Sequence, residues 1–330
     1  MPARSRRFPT TLLVAVLVAS GAVACRQAEP IPRIEPTLYN WHEHYRSAET
    51  PRVHVFDTGR LSLPGGFIQH GGNWFSARTL AVPAFVIEHP SKGLIVFDTG
   101  LSTSVGEERG RYMGLLWATL VPVAAAERQD LASQMRASGL APEDVAFVVL
   151  SDLHFDHAGG VEEFPNAQVV VARSERQAAL NDGWHDWYFP SDYDDVPRWL
   201  EIDYGRGAPF ATFTAHHDLL GDGSVVLVDL HGHSAGSQGV VVRTESGPVL
   251  LTGDAAPAED SWRYAARPAY AFDPHAWWEQ AWRIKKFVDL VPTATVIAGH
   301  DLRALARTRN SAIEVHSFER SSPESGVGVE

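Results

Sequence analysis

The sequence predicts an α/β protein built as an αββα sandwich: two face-to-face mixed β-sheets, helices on the outer faces, and a metal site at one sheet edge. Three observations predict it. Short apolar, strand-like runs fall into two β-rich halves, and each half carries amphipathic helical segments. Histidines and aspartates gather directly behind several of those runs, where loops leave the ends of strands. About 305 residues follow an N-terminal leader, and with 45% hydrophobic content the chain can bury a large core.

The leader occupies residues 1–24. Arg4, Arg6 and Arg7 precede the apolar run Leu12 to Val18, and Ala22-Val23-Ala24 leads to Cys25. The run is too short to cross a bilayer as a helix, which takes about 20 residues. This segment resembles a bacterial lipoprotein signal, and the resemblance implies lipid attachment at Cys25, export, and anchoring in the bacterial cell envelope. Cys25 is the only cysteine, so the mature chain has no internal disulfide. Removing the three leader arginines takes the formal charge from -12 to -15. So acidic a chain does not suit nucleic acid, whose affinity rests on phosphate neutralisation, and it meets a membrane only through the lipid. Residues 25–51, with Pro30, Pro32 and Pro36, read as a flexible tether bearing the exposed His42 and His44.

The folded domain is expected over residues 52–310. Val53 to Phe56, Ala84 to Ile87 and Leu94 to Phe97 read as strands, with Asp57-Thr58-Gly59 and Asp98-Thr99-Gly100 as turns. Residues 63–74 read as a loop that leaves His70 on the surface. Leu131 to Ser138 is an amphipathic helix closed by Gly139, and strands follow at Val145 to Leu150 and Gln168 to Ala172. Ser174 then caps a helix reaching Leu180, before an aromatic stretch from Trp184 to Pro190. In the second half, Ala211 to Thr214, Val225 to Val228, Gly239 to Arg243 and Pro248 to Thr252 read as strands, with His216 and His217 in a hairpin turn. Asp273-Pro274 starts a helix to Leu290 whose packing stripe is Trp278, Ala281, Trp282, Lys285 and Val288. Thr295 to Ala298 is the last strand, and 311–330 is a polar tail that frays.

The chemistry is concentrated between Ser151 and Gly160. Asp152, His154, Asp156 and His157 crowd two imidazoles and two carboxylates into six residues behind the apolar Val148-Val149-Leu150. Imidazole nitrogen and carboxylate oxygen are the donors that zinc, iron(II) and manganese(II) accept. Packing four such groups together with no cation leaves desolvated donors and charges to satisfy one another, at high cost. Three later segments repeat the pattern of a ligand just after a strand: His231-Gly232-His233, Gly253-Asp254 and Gly299-His300.

In this order the motifs resemble the metallo-β-lactamase-fold hydrolase superfamily, and most closely its N-acyl homoserine lactonase group. Val82-Pro83-Ala84-Phe85 before the Asp98-Thr99-Gly100 turn, Phe155 with Ala158-Gly159-Gly160, and Phe272-Asp273-Pro274 carry the closer likeness. The resemblance implies two divalent metal ions, with zinc the expected ion. His154 and His233 would serve one, Asp156, His157 and His300 the other, and Asp254 would bridge them. A water between the ions would attack a lactone or small-ester carbonyl, with Asp156 able to take a proton as the intermediate collapses.

Two departures from that group bear on substrate and metal. Asp152 stands where the group has histidine, which favours harder ions such as iron(II) or manganese(II). Three readings follow: Asp152 ligates, Asp152 sits behind a weak first site, or His231 swings in instead. Pro257 stands where lactonases of this group carry a tyrosine, leaving Tyr264 or Tyr188 to supply a hydroxyl. Trp184, Trp187, Phe189 and Trp262 are candidates to hold an acyl chain. Phosphoester, phosphotriester or β-lactam hydrolysis on the same site is the alternative chemistry. A degenerate, non-catalytic metal-binding surface lipoprotein is the alternative of another class.

Overall fold

The first sheet contains β1 (Arg52–Pro64), β2 (Ala77–His89), β3 (Gly93–Phe97), β4 (Val123–Ala124), β5 (Val145–Val149), β6 (Gln168–Ala172) and β7 (Trp199–Ile202). The second contains β8 (His216–Asp218), β9 (Val225–Asp229), β10 (Gln238–Thr244), β11 (Gly247–Leu251) and β12 (Thr295–Ile297). A last strand, β13 (Ile313–Val315), returns to the first sheet. Spatial orders are β13-β1-β2-β3-β5-β6-β7, with β4 paired to β1, and β12-β11-β10-β9-β8. Both sheets are mixed: β3, β5, β6 and β7 run parallel beside the antiparallel β1-β2-β3, and β12 lies parallel to β11 in an otherwise antiparallel sheet. This computed structural model describes residues 30–41, 49–102, 105, 118, 121–182 and 187–316. The leader, Cys25, His42, His44, Trp184 and residues 317–330 lie outside the described residues. Among those described, no helix is long and apolar enough to cross a membrane.

Strand alternation sorts the apolar residues into layers, because successive side chains point to opposite faces. Ile95, Phe97, Val149 and Val170 of the first sheet meet Leu227, Val240, Val242, Val249 and Leu251 of the second in one shared core. Their neighbours Val96, Val148, Val169 and Val171 face outward instead. There they bury Leu131 and Met135 of one helix and Ala179 of another. On the opposite side Val226, Val228, Val241 and Leu250 bury Ile284 and Phe287. The four-layer helix, sheet, sheet, helix arrangement expected from the sequence is therefore the one observed.

The helices are α1 (Gly65–Ile68), α2 (Leu131–Ala137), α3 (Phe155–Ala158), α4 (Arg173–Asp182), α5 (Glu259–Arg263) and α6 (Pro274–Leu290). α2 starts where the Asp130 carboxylate accepts from Ser133 N at 2.7 Å. α6 starts at the expected aspartate–proline pair, with Asp273 Oδ1 accepting from His275 N and Ala276 N at 2.9 and 3.0 Å. Its buried stripe differs from expectation: Trp277, Gln280, Ala281, Ile284 and Phe287 face the sheet. Trp277 Nε1 donates to Ala255 O at 2.8 Å and anchors that face, while Trp278 and Trp282 pair edge to face on the flank.

Other boundaries shift for local reasons. β1 does not stop at Phe56, because Asp57-Thr58-Gly59 is absorbed as a bulge and pairing with β2 resumes at Arg60. Residues 63–74 include one helical turn, α1. Residues 211–214 form only isolated bridges, and His216 and His217 lie on β8 rather than in a turn. α4 begins at Arg173, so Ser174 sits inside its first turn rather than ahead of it. The expected tether ends early: Tyr39 pairs with Ala211, and Trp41 is buried against Phe210 and Phe287 at ring distances of 5.4 and 5.2 Å. The expected tail begins late, since β13 pairs in parallel with β1.

Phe287 is fully buried where α6, Trp41 and Phe213 converge. Phe287→Ala should lower unfolding stability by about 3–5 kcal/mol, read as a shift in the denaturant midpoint. An unchanged midpoint would refute the packing of α6 and the residue-41 segment described here.

Candidate metal centre

The ligand-bearing loops leave the carboxyl ends of β5, β9, β11 and β12, so donors from both sheets meet at one end of the sandwich. After β5 the chain turns at Ser151 and closes the single turn α3, where His157 N and Ala158 N donate to His154 O. Two glycines fix the approach of the later ligands. Gly232, ahead of His233, has φ +137°, and a Cβ there would lie 2.4 Å from Trp277 N. Gly253, ahead of Asp254, has φ +50°, and a Cβ would lie 2.3 Å from the Ser151 Cβ. The sheets are tied beside the site, since Gln238 N donates to Ser151 O and Gln238 Nε2 to Leu150 O, at 2.9 and 2.8 Å.

The donors form two clusters, Asp152–His154–His233 and Asp156–His157–His300, each with ligand atoms within 4.8 Å of one another. In the first, His154 Nδ1 lies 3.3 Å from both Asp152 Oδ1 and His233 Nε2. In the second, His300 Nε2 lies 3.4 Å from Asp156 Oδ2, and His157 Nε2 lies 4.0 Å from Asp156 Oδ1. Asp254 stands between them, with Oδ2 3.4 Å from His233 Nε2 and Oδ1 3.0 Å from His300 Nε2 and 3.7 Å from His157 Nε2.

Two observations show that these residues fit divalent cations. Donors arranged tetrahedrally around zinc stand about 3.4 Å apart, close to most of these separations. Asp152 Oδ2, His157 Nε2 and Asp254 Oδ1 are also buried with no hydrogen-bond partner, a costly state for protein groups alone. The backing groups aim the ring nitrogens inward. His157 Nδ1 donates to Asp98 Oδ2 at 2.9 Å, and His300 Nδ1 donates to Ala81 O at 2.7 Å, which turns each Nε2 toward the cluster. Asp98, in the turn after β3, also accepts from Ser151 N at 2.7 Å.

The surroundings perturb the ionisation of these groups. Burial pushes Asp152 up to about 6, against the pull of His157 and His233. Burial also disfavours charge on His300, but Asp254 and Asp156 outweigh it and hold His300 at about 9. His154 and His233 are held below the usual histidine range by burial, in the neutral form that coordinates metal.

All seven expected ligands therefore converge, and Asp152 sits within ligating distance in the first cluster. His231 does not join them: its ring donates to Asp229 at 2.9 Å and is substantially exposed. The sequence reading missed Glu175, a fully buried carboxylate on α4. It accepts from Leu153 N at 3.0 Å, Tyr188 OH at 3.0 Å, Ser234 Oγ at 2.6 Å and Gly236 N at 2.8 Å. It thus joins the loop of Asp152 and His154 to the loop of His233. Tyr188, committed to Glu175 and stacked on His154, has no hydroxyl free for a substrate. Tyr264 is exposed outside the cleft, whereas the unforeseen Tyr270 lines it, edge-on to His233.

A cleft of about 120 Å³ lies over the two clusters. His154, Asp156, His233, Asp254 and His300 form its floor, and Leu61, Leu63, Phe67, Ile68, Phe155 and Trp187 are among its apolar walls. Of the aromatic residues expected to hold a chain, Trp187 lines it, and Trp184 lies outside the described residues. Phe189 packs behind Phe155 at a ring distance of 5.5 Å, and Trp262 is buried with the outer face of the second sheet.

The family model for the metallo-beta-lactamase superfamily matches residues 77–300. The chain belongs to that superfamily. It is similar to curated lactonases: it is 32% identical over 254 residues to the N-acyl homoserine lactonase AttM of Azorhizobium caulinodans, covering 76% of this chain and 93% of that one. It is 27% identical over 262 residues to the N-acyl homoserine lactonase AiiA of Bacillus thuringiensis subsp. kurstaki, covering 76% and 93%. Among solved structures, an AiiA variant from B. thuringiensis with N-decanoyl-L-homoserine bound at the active site aligns with TM-score 0.67 at 25% identity, over 78% of this chain and 96% of that one. The chain is a metallo-beta-lactamase-fold hydrolase of lactonase type.

Two substitutions test the centre. Asp152→Ala should leave the Asp156–His157–His300 cluster loaded and remove the ion of the first cluster, as counted by elemental analysis; retention of both ions would exclude Asp152 as a ligand. Glu175→Gln should weaken the first ion by about 10- to 100-fold while sparing the second, read by competition with a chelator.

Proposed function

We propose that this protein is a metal-dependent lactonase that opens N-acyl homoserine lactones, exported and held in the bacterial cell envelope through a lipid on Cys25. The observation that carries the proposal is the cleft itself, with metal-ligating groups on its floor and apolar walls beside them. A neutral lactone head with an acyl tail matches both surfaces, the carbonyl toward the polar floor and the chain along Leu63, Phe67 and Trp187. Phosphoesters and β-lactams carry anionic oxygens, which favour a guanidinium or ammonium clamp. Among the described residues lining this cleft none is Lys or Arg, which favours the uncharged substrate.

Zinc is the ion that best suits the imidazole-rich donor set, with iron(II) or manganese(II) favoured to the extent that Asp152 contributes a hard oxygen. Bound there, such ions supply Lewis-acid polarisation of a carbonyl and a water acidified toward neutral pH. The chain's own groups do the rest. Asp156, on the cleft floor beside His300, is placed to take the proton released on addition and return it to the departing ring oxygen. Tyr270 offers a phenol to the lactone, in a cleft where Pro257 can donate no hydrogen bond. Phe155 and Trp187, stacked with ring centroids 6.3 Å apart, give one wall an apolar face.

Metal-loaded protein should open N-acyl homoserine lactones of several chain lengths, and chelation or His157→Ala should abolish turnover. No ring opening at any chain length would sink the proposal. Tyr270→Phe should lower kcat/KM by about 10-fold, the loss of roughly 1.4 kcal/mol expected for one hydrogen bond.

A further inference from the structure

A second set of donors converges where β13 meets β1, built from residues the hydrolytic centre does not use. We propose that His54, Glu314 and His316 form a separate site for one divalent cation of zinc type, which clips the C-terminal strand onto the first sheet.

The backbone brings the three together. β13 lies parallel to β1 with His54 directly opposite Glu314, so the two side chains stand as neighbours on one face. Beyond the strand, His316 N donates to Val55 O at 2.9 Å, and the His316 ring stacks on Phe56 at 4.4 Å with an interplanar angle of 6°. That packing holds the imidazole in place. His54 Nδ1 lies 3.0 Å from His316 Nε2 and 3.6 Å from Glu314 Oε2, and His316 Nε2 lies 3.8 Å from Glu314 Oε1. These separations bracket the roughly 3.4 Å expected between donors on a tetrahedral zinc ion.

The far nitrogens are held as they are in zinc-bound histidines. His54 Nε2 donates to Glu88 Oε2 at 3.1 Å, and His316 Nδ1 lies 3.2 Å from Ser138 Oγ at the end of α2. With Ser138 Oγ accepting from His316 Nδ1–H, each ring turns its other nitrogen, as a lone pair, toward the same point, the tautomer a bound cation selects. With protein groups alone, two ring nitrogens and a carboxylate face one another there, and neutral imidazoles bring at most one proton between them. A cation satisfies all three donors at once. It also neutralises charge, because neither Glu88 nor Glu314 pairs with a Lys or Arg among the described residues. Two nitrogens and one oxygen with no thiolate suit zinc, and the exposed Glu314 leaves a fourth position open to water.

The test uses the full chain with zinc(II) as the probe. Glu314→Gln and His316→Ala alter residues at the rim of the fold. Each should bind one zinc fewer per chain than wild type by elemental analysis after equilibrium dialysis, with lactone turnover unchanged. Thermal midpoints of the three proteins should coincide in chelator and separate in zinc, with wild type higher, which distinguishes a lost ligand from a damaged fold. Equal zinc content in all three proteins, or loss of turnover along with the ion, would overturn the proposal.

Discussion

The Asp254 carboxylate is the one group whose two oxygens face different clusters, and the architecture around the site is what that placement requires. It follows β11 in the second sheet, yet two of its neighbours, Asp156 and His157, follow β5 in the first. The sheets must therefore end at the same level and stay in register across the core. The shared layer of Val149, Leu227, Val240 and Leu251 sets their spacing, and Gln238, bonded to both Leu150 O and Ser151 O, locks their relative height. Gly253 lets Asp254 approach over Ser151, where any side chain would collide. Stability and ligand geometry are in this way one problem: an apolar core positions groups whose own burial is unfavourable until a cation compensates them.

What was legible in the sequence was local. Asp152, His154, Asp156 and His157 sit within six residues, and the glycine-preceded His233, Asp254 and His300 each follow a strand recognisable from its own apolar run. The layered fold was legible for the same reason, since strand alternation is written residue by residue. Glu175 was not legible, because its partners Leu153, Tyr188, Ser234 and Gly236 are 13 to 61 positions away and nothing beside it in the chain marks it as more than a surface helix residue. The α6 stripe was misplaced by one position because tryptophan is apolar enough to suggest burial at 278 and 282, while contacts with Ala255 and Gly232 decide for 277. β13 and Trp41 were hidden by their polar neighbourhoods, where long-range pairing overrides local composition.

The cleft shows how the same chain separates two kinds of surface. α1 and the walls from β1 and β2 bring Leu61, Leu63, Phe67 and Leu80 over the polar floor, while Phe189 backs Phe155 from the core. Trp187 bridges the two walls, edge-on to Phe67 at 5.8 Å and stacked near Phe155. Water held against such a wall is easily displaced by an acyl chain, and the low dielectric left behind strengthens each interaction on the floor.

Asp152 changes the charge balance of that floor. With Asp156 and Asp254 it makes three ligand carboxylates, and Asp98 adds a fourth negative group behind His157. An imidazole in place of Asp152 would leave two ligand charges against the four of a divalent pair; the aspartate leaves three. More negative donors hold cations more tightly and favour harder ones, but they also drain the positive potential that polarises a carbonyl. Glu175 adds less to that balance than its formal charge suggests, since its burial and the nearby Asp152 charge raise its pKa and favour the neutral acid. Each cluster carries two imidazoles and one carboxylate, but the first is backed by the buried Glu175 and thereby built for retention, while the second, with Asp156 lining the cleft, is built for chemistry. Replacing Asp152 with histidine should shift that balance back, raising turnover per bound metal pair while loosening the first ion.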